Sequence, residues 1–98
     1  MSAEQKNCDF ISFPPTRKED WQDVLPRKLN KIQSGMVVVD CQDWSLDCRD
    51  FQKIKAMLDR AGVKITLIQS NIPETIVSAA SLGYQTLLKV KTNEVITL

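Results

Sequence analysis

The sequence predicts a small α/β domain of βαβαβαβ order, with a sheet largely parallel in its centre and helices packed on it. Three observations carry that reading. Across residues 35–84, short apolar runs alternate with segments of helical periodicity, with almost nothing between them. Residues 36–39 (MVVV) form a continuous apolar run, as strands covered on both faces of a parallel sheet do. Cap and turn residues fall at the junctions: Gly35, Asp47, Gly62, Pro73 and Gly83. At 98 residues the chain fits a single domain, without repeats, linkers or low-complexity tracts.

Residues 1–7 are polar and expected to fray. Residues 10–13 (FISF) make a short strand, stopped by Pro14-Pro15. Thr16 and Glu19 have the spacing of a capping box. The helix after them sets Trp21, Val24, Leu25, Leu29 and Ile32 on one apolar face. Pro26 should kink or restart this helix, because its ring removes a donor and crowds the preceding turn. Ser34-Gly35 ends it. After the strand at 36–39 comes a polar loop, 40–46. Asp47 caps the second helix, and Asp50 in its first turn complements the helix dipole. That helix buries Phe51, Ile54, Met57, Leu58 and Ala61, and Gly62 stops it. Residues 63–68 (VKITLI) are the next strand. Asn71 and Glu74 repeat the capping-box spacing around Pro73. The helix they open buries Ile76, Val77 and Ala80, and Gly83 supplies a left-handed residue after it. Residues 85–90 make a strand, and 94–98 pair with it across Thr92-Asn93. Right-handed crossovers between the parallel strands place the helices on the sheet's faces.

Composition narrows the function classes. The net charge of +1, from 13 basic and 12 acidic residues, lacks the basic excess of nucleic-acid binders. No apolar run approaches the roughly 20 residues that cross a bilayer. The opening MSAEQKNCDF has no apolar signal core, so a cytoplasmic protein is expected. Cys8, Cys41 and Cys48 are odd in number and show no CxxC, which reads as free thiols rather than a disulfide scaffold or zinc site. There is no histidine, hence no Ser–His or Cys–His pair and no imidazole base. No enzyme, catalytic residue, cofactor or metal site is expected.

Four features remain as candidate sites. Asp40, Asp43, Ser45 and Asp47 could hold Mg2+, but no phosphate-binding glycine loop accompanies them; they read as a solvated loop and a helix cap. Ser45 could be a phosphorylation switch near a helix N-terminus, and reads as a turn serine. Arg49, Lys53 and Arg60 share a basic face with Arg17, Lys18, Arg27, Lys28 and Lys31 of the first helix. They read as solvated surface or as a patch for an acidic partner. The small-residue helix 75–81 reads as close packing on a sheet, with a flat docking face as the alternative. Of the two tryptophans, Trp21 falls on the apolar face and reads as core, while Trp44 in the loop is a candidate anchor.

Residues 37–86 resemble the N-terminal domain of the bacterial septum-site determining protein family, MinC. The similar pieces are the strand–loop opening at 37–44, the Ala61-Gly62-Val63 junction, and above all 70–86. In that last piece Ser70-Asn71 leads into a small-residue helix closed by Leu82-Gly83-Tyr84. The resemblance implies a cell-division inhibitor domain that binds the tubulin-like protein FtsZ and disrupts its polymers. It also implies a C-terminal β-helical domain that dimerises and binds MinD; no such glycine-punctuated stretch occurs before Leu98, so MinD is expected to contact only that further domain. Arg49, Lys53, Arg60 and Trp44 are the candidate partner-binding residues. The alternative is a STAS-like (anti-sigma-factor antagonist) regulatory domain, which shares the βα order. Its phosphoacceptor motif would fall at Asp47-Cys48-Arg49-Asp50, where both the serine and the glycine are missing.

Overall fold

The computed structural model describes residues 8–89. Strands β1 (Asp9–Ser12), β2 (Met36–Asp40), β3 (Lys64–Ser70) and β4 (Thr86–Leu88) alternate with helices α1 (Trp21–Leu29), α2 (Cys48–Ala61) and α3 (Pro73–Ser81). The strands form one sheet in the order β1-β2-β3-β4, and every neighbouring pair is parallel. The α/β class and the βαβαβαβ order are those expected. The expected strand at 94–98 and the fraying of 1–7 lie outside the described residues.

The strand order fixes where the helices go. Each crossover steps to the next strand in the same direction, and each is right-handed by the usual rule, so all three helices lie on one face. Accordingly α1 packs on α2, and α2 on α3. The pleat then alternates sharply. Ile11, Val37, Val39 and Ile68 point under the helices and are buried, whereas Phe10 is 56% exposed and Met36 39%. Val38 and Leu67, opposite Phe10 in register, are half-buried. The MVVV run is therefore not covered on both faces. Covering both would require the strand order to reverse partway, and here it never does.

One core joins the layers. Ile11, Phe13, Trp21, Leu25, Val37, Val39, Cys41, Leu46, Phe51, Ile54, Leu58 and Ile68 form a contiguous buried cluster. Trp21 belongs to it, stacked on Phe13 with ring centroids 5.2 Å apart.

Three helix boundaries differ from expectation. The N-cap of α1 is Asp20, whose carboxylate accepts from the Gln22 N–H at 2.9 Å; Thr16 instead accepts from the Lys18 N–H. Burying Trp21 at the first helical position sets this start. The helix runs through Pro26 without restarting and ends at Leu29, short of Ser34-Gly35. Gly35, at φ +81°, leads into β2 instead. The third difference is α3, whose N-cap is Ile72 with no side-chain cap bond; Asn71 donates to the Asp43 carboxylate at 2.8 Å instead. Its buried face is Thr75 and Ala79, leaving Val77 67% exposed and Ala80 exposed. By contrast α2 begins as expected, with a reciprocal capping box between Asp47 and Asp50, and Gly62 terminates it at φ +75°. Met57 is only half-buried, however, and Ala61 is exposed.

Candidate docking site

The loop between β2 and α2 is tied down by the residues around it. The Trp44 indole N–H donates to the Pro14 carbonyl at 2.8 Å, and the Arg17 guanidinium lies 5.1 Å from the centroid of its ring. Buried Thr75 accepts from the Leu46 N–H at 2.9 Å and donates to the Trp44 carbonyl at 2.7 Å. The Ser70 hydroxyl donates to the Gln42 carbonyl and accepts from the Ile72 N–H. Asp40 accepts from the Gln42 N–H and pairs with Lys89 across the sheet at 2.5 Å. The loop carboxylates thus serve structural bonds: Asp40 and Asp43 within the loop's neighbourhood, Asp47 as a cap. Trp44 is half-buried, with its polar atom occupied. Thr75 and Ser70 carry most of this bonding, although by residue type alone they suggest no more than small side chains suited to close packing.

Cys41 sits beneath the same loop, fully buried. Burial pushes its thiol up to about 12, and the neighbouring Asp40 charge adds to the shift. Cys8 and Cys48 are exposed.

The basic candidates gather on one shoulder of α2. Arg49, Lys53 and Arg60 are spaced by four and seven residues, so they form a stripe about three turns long, and all three are exposed. Among the described residues none of them has a carboxylate within salt-bridge distance; the ion pairs there are Lys55–Asp59 and Lys89–Asp40. The stripe borders α1. Met57, Arg60 and Ala61 face Pro26, Leu29 and Asn30 across a groove of about 320 Å³. On the other side of α1, Arg27, Lys28 and Lys31 line a shallow depression with Glu19 and Val24. The α1 cations thus lie across α1 from the α2 stripe, a separation that spacing within each helix could not establish.

The opposite side of the molecule is different in kind. Phe10, Val38 and Leu67 line up across three strands, flanked by Met36 and by Leu87, which is 48% exposed. This open sheet face is apolar, contrary to the expectation of a sheet covered on both sides. The signal that could have found it is the chain's uniform one-step crossovers, which are invisible until the strand order is known.

Among the described residues no group of three His, Cys, Asp or Glu side chains could hold a metal ion, and no helix is long and apolar enough to cross a membrane.

Comparison with known proteins adds a family likeness. Over 76 residues, 78% of this chain, it is 42% identical to a probable septum site-determining protein MinC of Prochlorococcus marinus (strain MIT 9313), of which it covers 34%. Over 88 residues, 90% of this chain, it is 32% identical to the probable MinC of a second Prochlorococcus marinus strain, SARG, covering 39% of that protein. The chain thus spans little more than a third of the length of the curated relatives it matches. No family model matches it, and neither does any solved structure.

Proposed function

From the chain's homology to the MinC septum site-determining proteins over most of its length, we propose that it inhibits cell division by binding FtsZ in the bacterial cytoplasm and disrupting its polymers. The observation that carries this reading is 42% identity over 76 residues. The action is contact rather than catalysis. The docking face in this proposal is the helix layer, with Arg49, Lys53 and Arg60 meeting acidic groups of the partner and Trp44 at its margin. Exposed cations of this kind speed encounter with an oppositely charged surface and fix its orientation. MinD enters only through a further domain of the kind the family resemblance implies.

Sedimentation of FtsZ polymers with and without the chain tests the proposal. Less polymer should pellet as the chain is added; an unchanged pellet at an excess of chain overturns it. The triple variant Arg49→Glu, Lys53→Glu, Arg60→Glu keeps the core intact and should need about tenfold more protein for the same loss of polymer, since reversed charges at a docking face repel. Equal potency would remove these residues from the docking face.

A further inference from the structure

We propose that the outer edge of β4, with the flank of α3 above it, is a self-association surface that takes a second copy of this chain as an antiparallel strand. This contact is independent of the division reading. β4 ends the sheet, and among the described residues nothing pairs with its outer side. Its inner side is occupied: the Ile68 N–H donates to the Gln85 carbonyl at 2.9 Å, and the Lys89 N–H donates to the Ser70 carbonyl at 2.8 Å. Main-chain groups alternate in direction along a strand, so Gln85, Leu87 and Lys89 face β3 while Thr86 and Leu88 point their N–H and C=O groups outward. A two-fold axis at Leu87 sets Thr86 against the second copy's Leu88, and Leu88 against its Thr86, which pairs the outward groups of both chains. Leu87 then meets its own counterpart in the closer, non-hydrogen-bonded pair.

The helix above this edge has a matching flank. α3 buries Thr75 and Ala79 and turns Ser81 toward α2, where its hydroxyl lies 3.6 Å from the Cys48 thiol. At about 3.6 residues per turn, Ile76 and Ala80 fall on the flank away from α2, above the β4 edge. Ile76 is half-buried there and Ala80 exposed. Ile76, Ala80, Thr86, Leu87 and Leu88 make an edge without a charge. A two-fold contact needs that neutrality, because near the axis each side chain meets its own kind and a charge would repel itself. The opposite edge of the sheet lacks it. Beside β1, the flank of α1 away from α2 carries Glu19, Arg27, Lys28 and Lys31, and a second copy there would set those cations against themselves. The rival occupant at β4 is the chain's own segment 94–98. A two-residue turn at Thr92-Asn93 would aim its bonds at Leu87 and Lys89, whose groups already face β3, so the second copy fits the outward positions and that turn does not. Three strand residues and one helix flank bury less than the about 1,200 Å² total of a standard interface, so the dimer is weak and depends on concentration.

Sedimentation velocity of the 98-residue chain from about 10 µM to about 1 mM tests this contact. The average mass should rise from that of one chain toward that of two. Leu87 is 48% exposed, so a charge there leaves the core intact. Leu87→Glu and Leu87→Lys, each alone, should move the midpoint at least tenfold higher, since like charges then meet at the axis. An equimolar mixture of the two variants should associate at least tenfold more tightly than either alone, a rescue that damage to the fold cannot produce. Leu88→Pro removes an outward N–H and no bond to β3, so it should weaken association while the far-ultraviolet circular dichroism stays unchanged. A single-chain mass at every concentration overturns the proposal and leaves the edge to residues 94–98 or to solvent. Association that the Leu87 charges leave unchanged, or a mixture no tighter than its components, places the contact elsewhere and overturns it as well.

Discussion

At the scale of single residues, Cys41 shows how position outweighs residue type. Three cysteines look equivalent in the sequence, yet one is sealed under the β2–α2 loop and two face solvent. A thiol reagent at pH 8 should label Cys8 and Cys48 and reach Cys41 only on unfolding, as mass spectrometry can read directly. The raised thiol also sets a pH dependence. Below about pH 9 the thiol is protonated in both states and contributes no slope. Above it, the unfolded chain releases the proton while the folded chain holds it up to about pH 12. The unfolded state then binds fewer protons, so stability falls as pH rises, by up to about 1.4 kcal/mol per unit. Raised values at Lys55 and Tyr84 add losses of the same sign from slightly higher pH. Urea midpoints from pH 8 to 11 should decline, and Cys41→Ala should delay the onset.

Among the elements, α3 shows what a hydrophobic pattern misses. Its aliphatic residues, Ile76, Val77 and Ala80, suggest the buried face. The helix instead turns Thr75 and Ala79 inward, because Thr75 satisfies two main-chain groups of the Trp44–Leu46 segment, the buried Leu46 N–H and the partly buried Trp44 carbonyl. An unmet polar group in the interior costs more than an exposed valine. Thr75→Val should therefore destabilise the domain by about 2–4 kcal/mol, from one donor and one acceptor left unpaired. Thr75→Ser keeps the hydroxyl and should lose clearly less. Chemical denaturation of the two variants checks the contrast. The capping box of α2, by comparison, is legible in the sequence, since Asp47 and Asp50 meet within a single turn and need no distant partner.

For the whole molecule, the decisive fact is a one-sided sheet. Adjacent residues of β1 should report it. Ile11, 2% exposed beneath the helices, should cost about 2–5 kcal/mol when changed to Ala. Phe10→Ser, on the open face, should cost less than about 1 kcal/mol despite removing a larger side chain. Equal losses from the two would mean that the outer face is covered in solution. The same one-sidedness gives the molecule two dissimilar surfaces, an apolar sheet face and a helix layer that carries the exposed stripe of Arg49, Lys53 and Arg60. Only the second has the charge pattern that motivated the docking proposal.

The sequence by itself determined the class, the order of elements, the α2 caps and most of the α1 and α2 core. These depend on periodicities of two and 3.6 residues and on contacts within a turn, all local in the chain. The resemblance carried by residues 37–86 was legible for the same reason, as a linear pattern. Tertiary structure alone decided that the strands stand in consecutive order, that MVVV is covered on one side, and that Thr75 rather than Val77 faces inward. It also decided that Arg60 and Met57 share a groove with Pro26 and Leu29, residues some thirty positions away. Each of these outcomes depends on which distant backbone must be covered or hydrogen-bonded, and that is settled only when the layers pack.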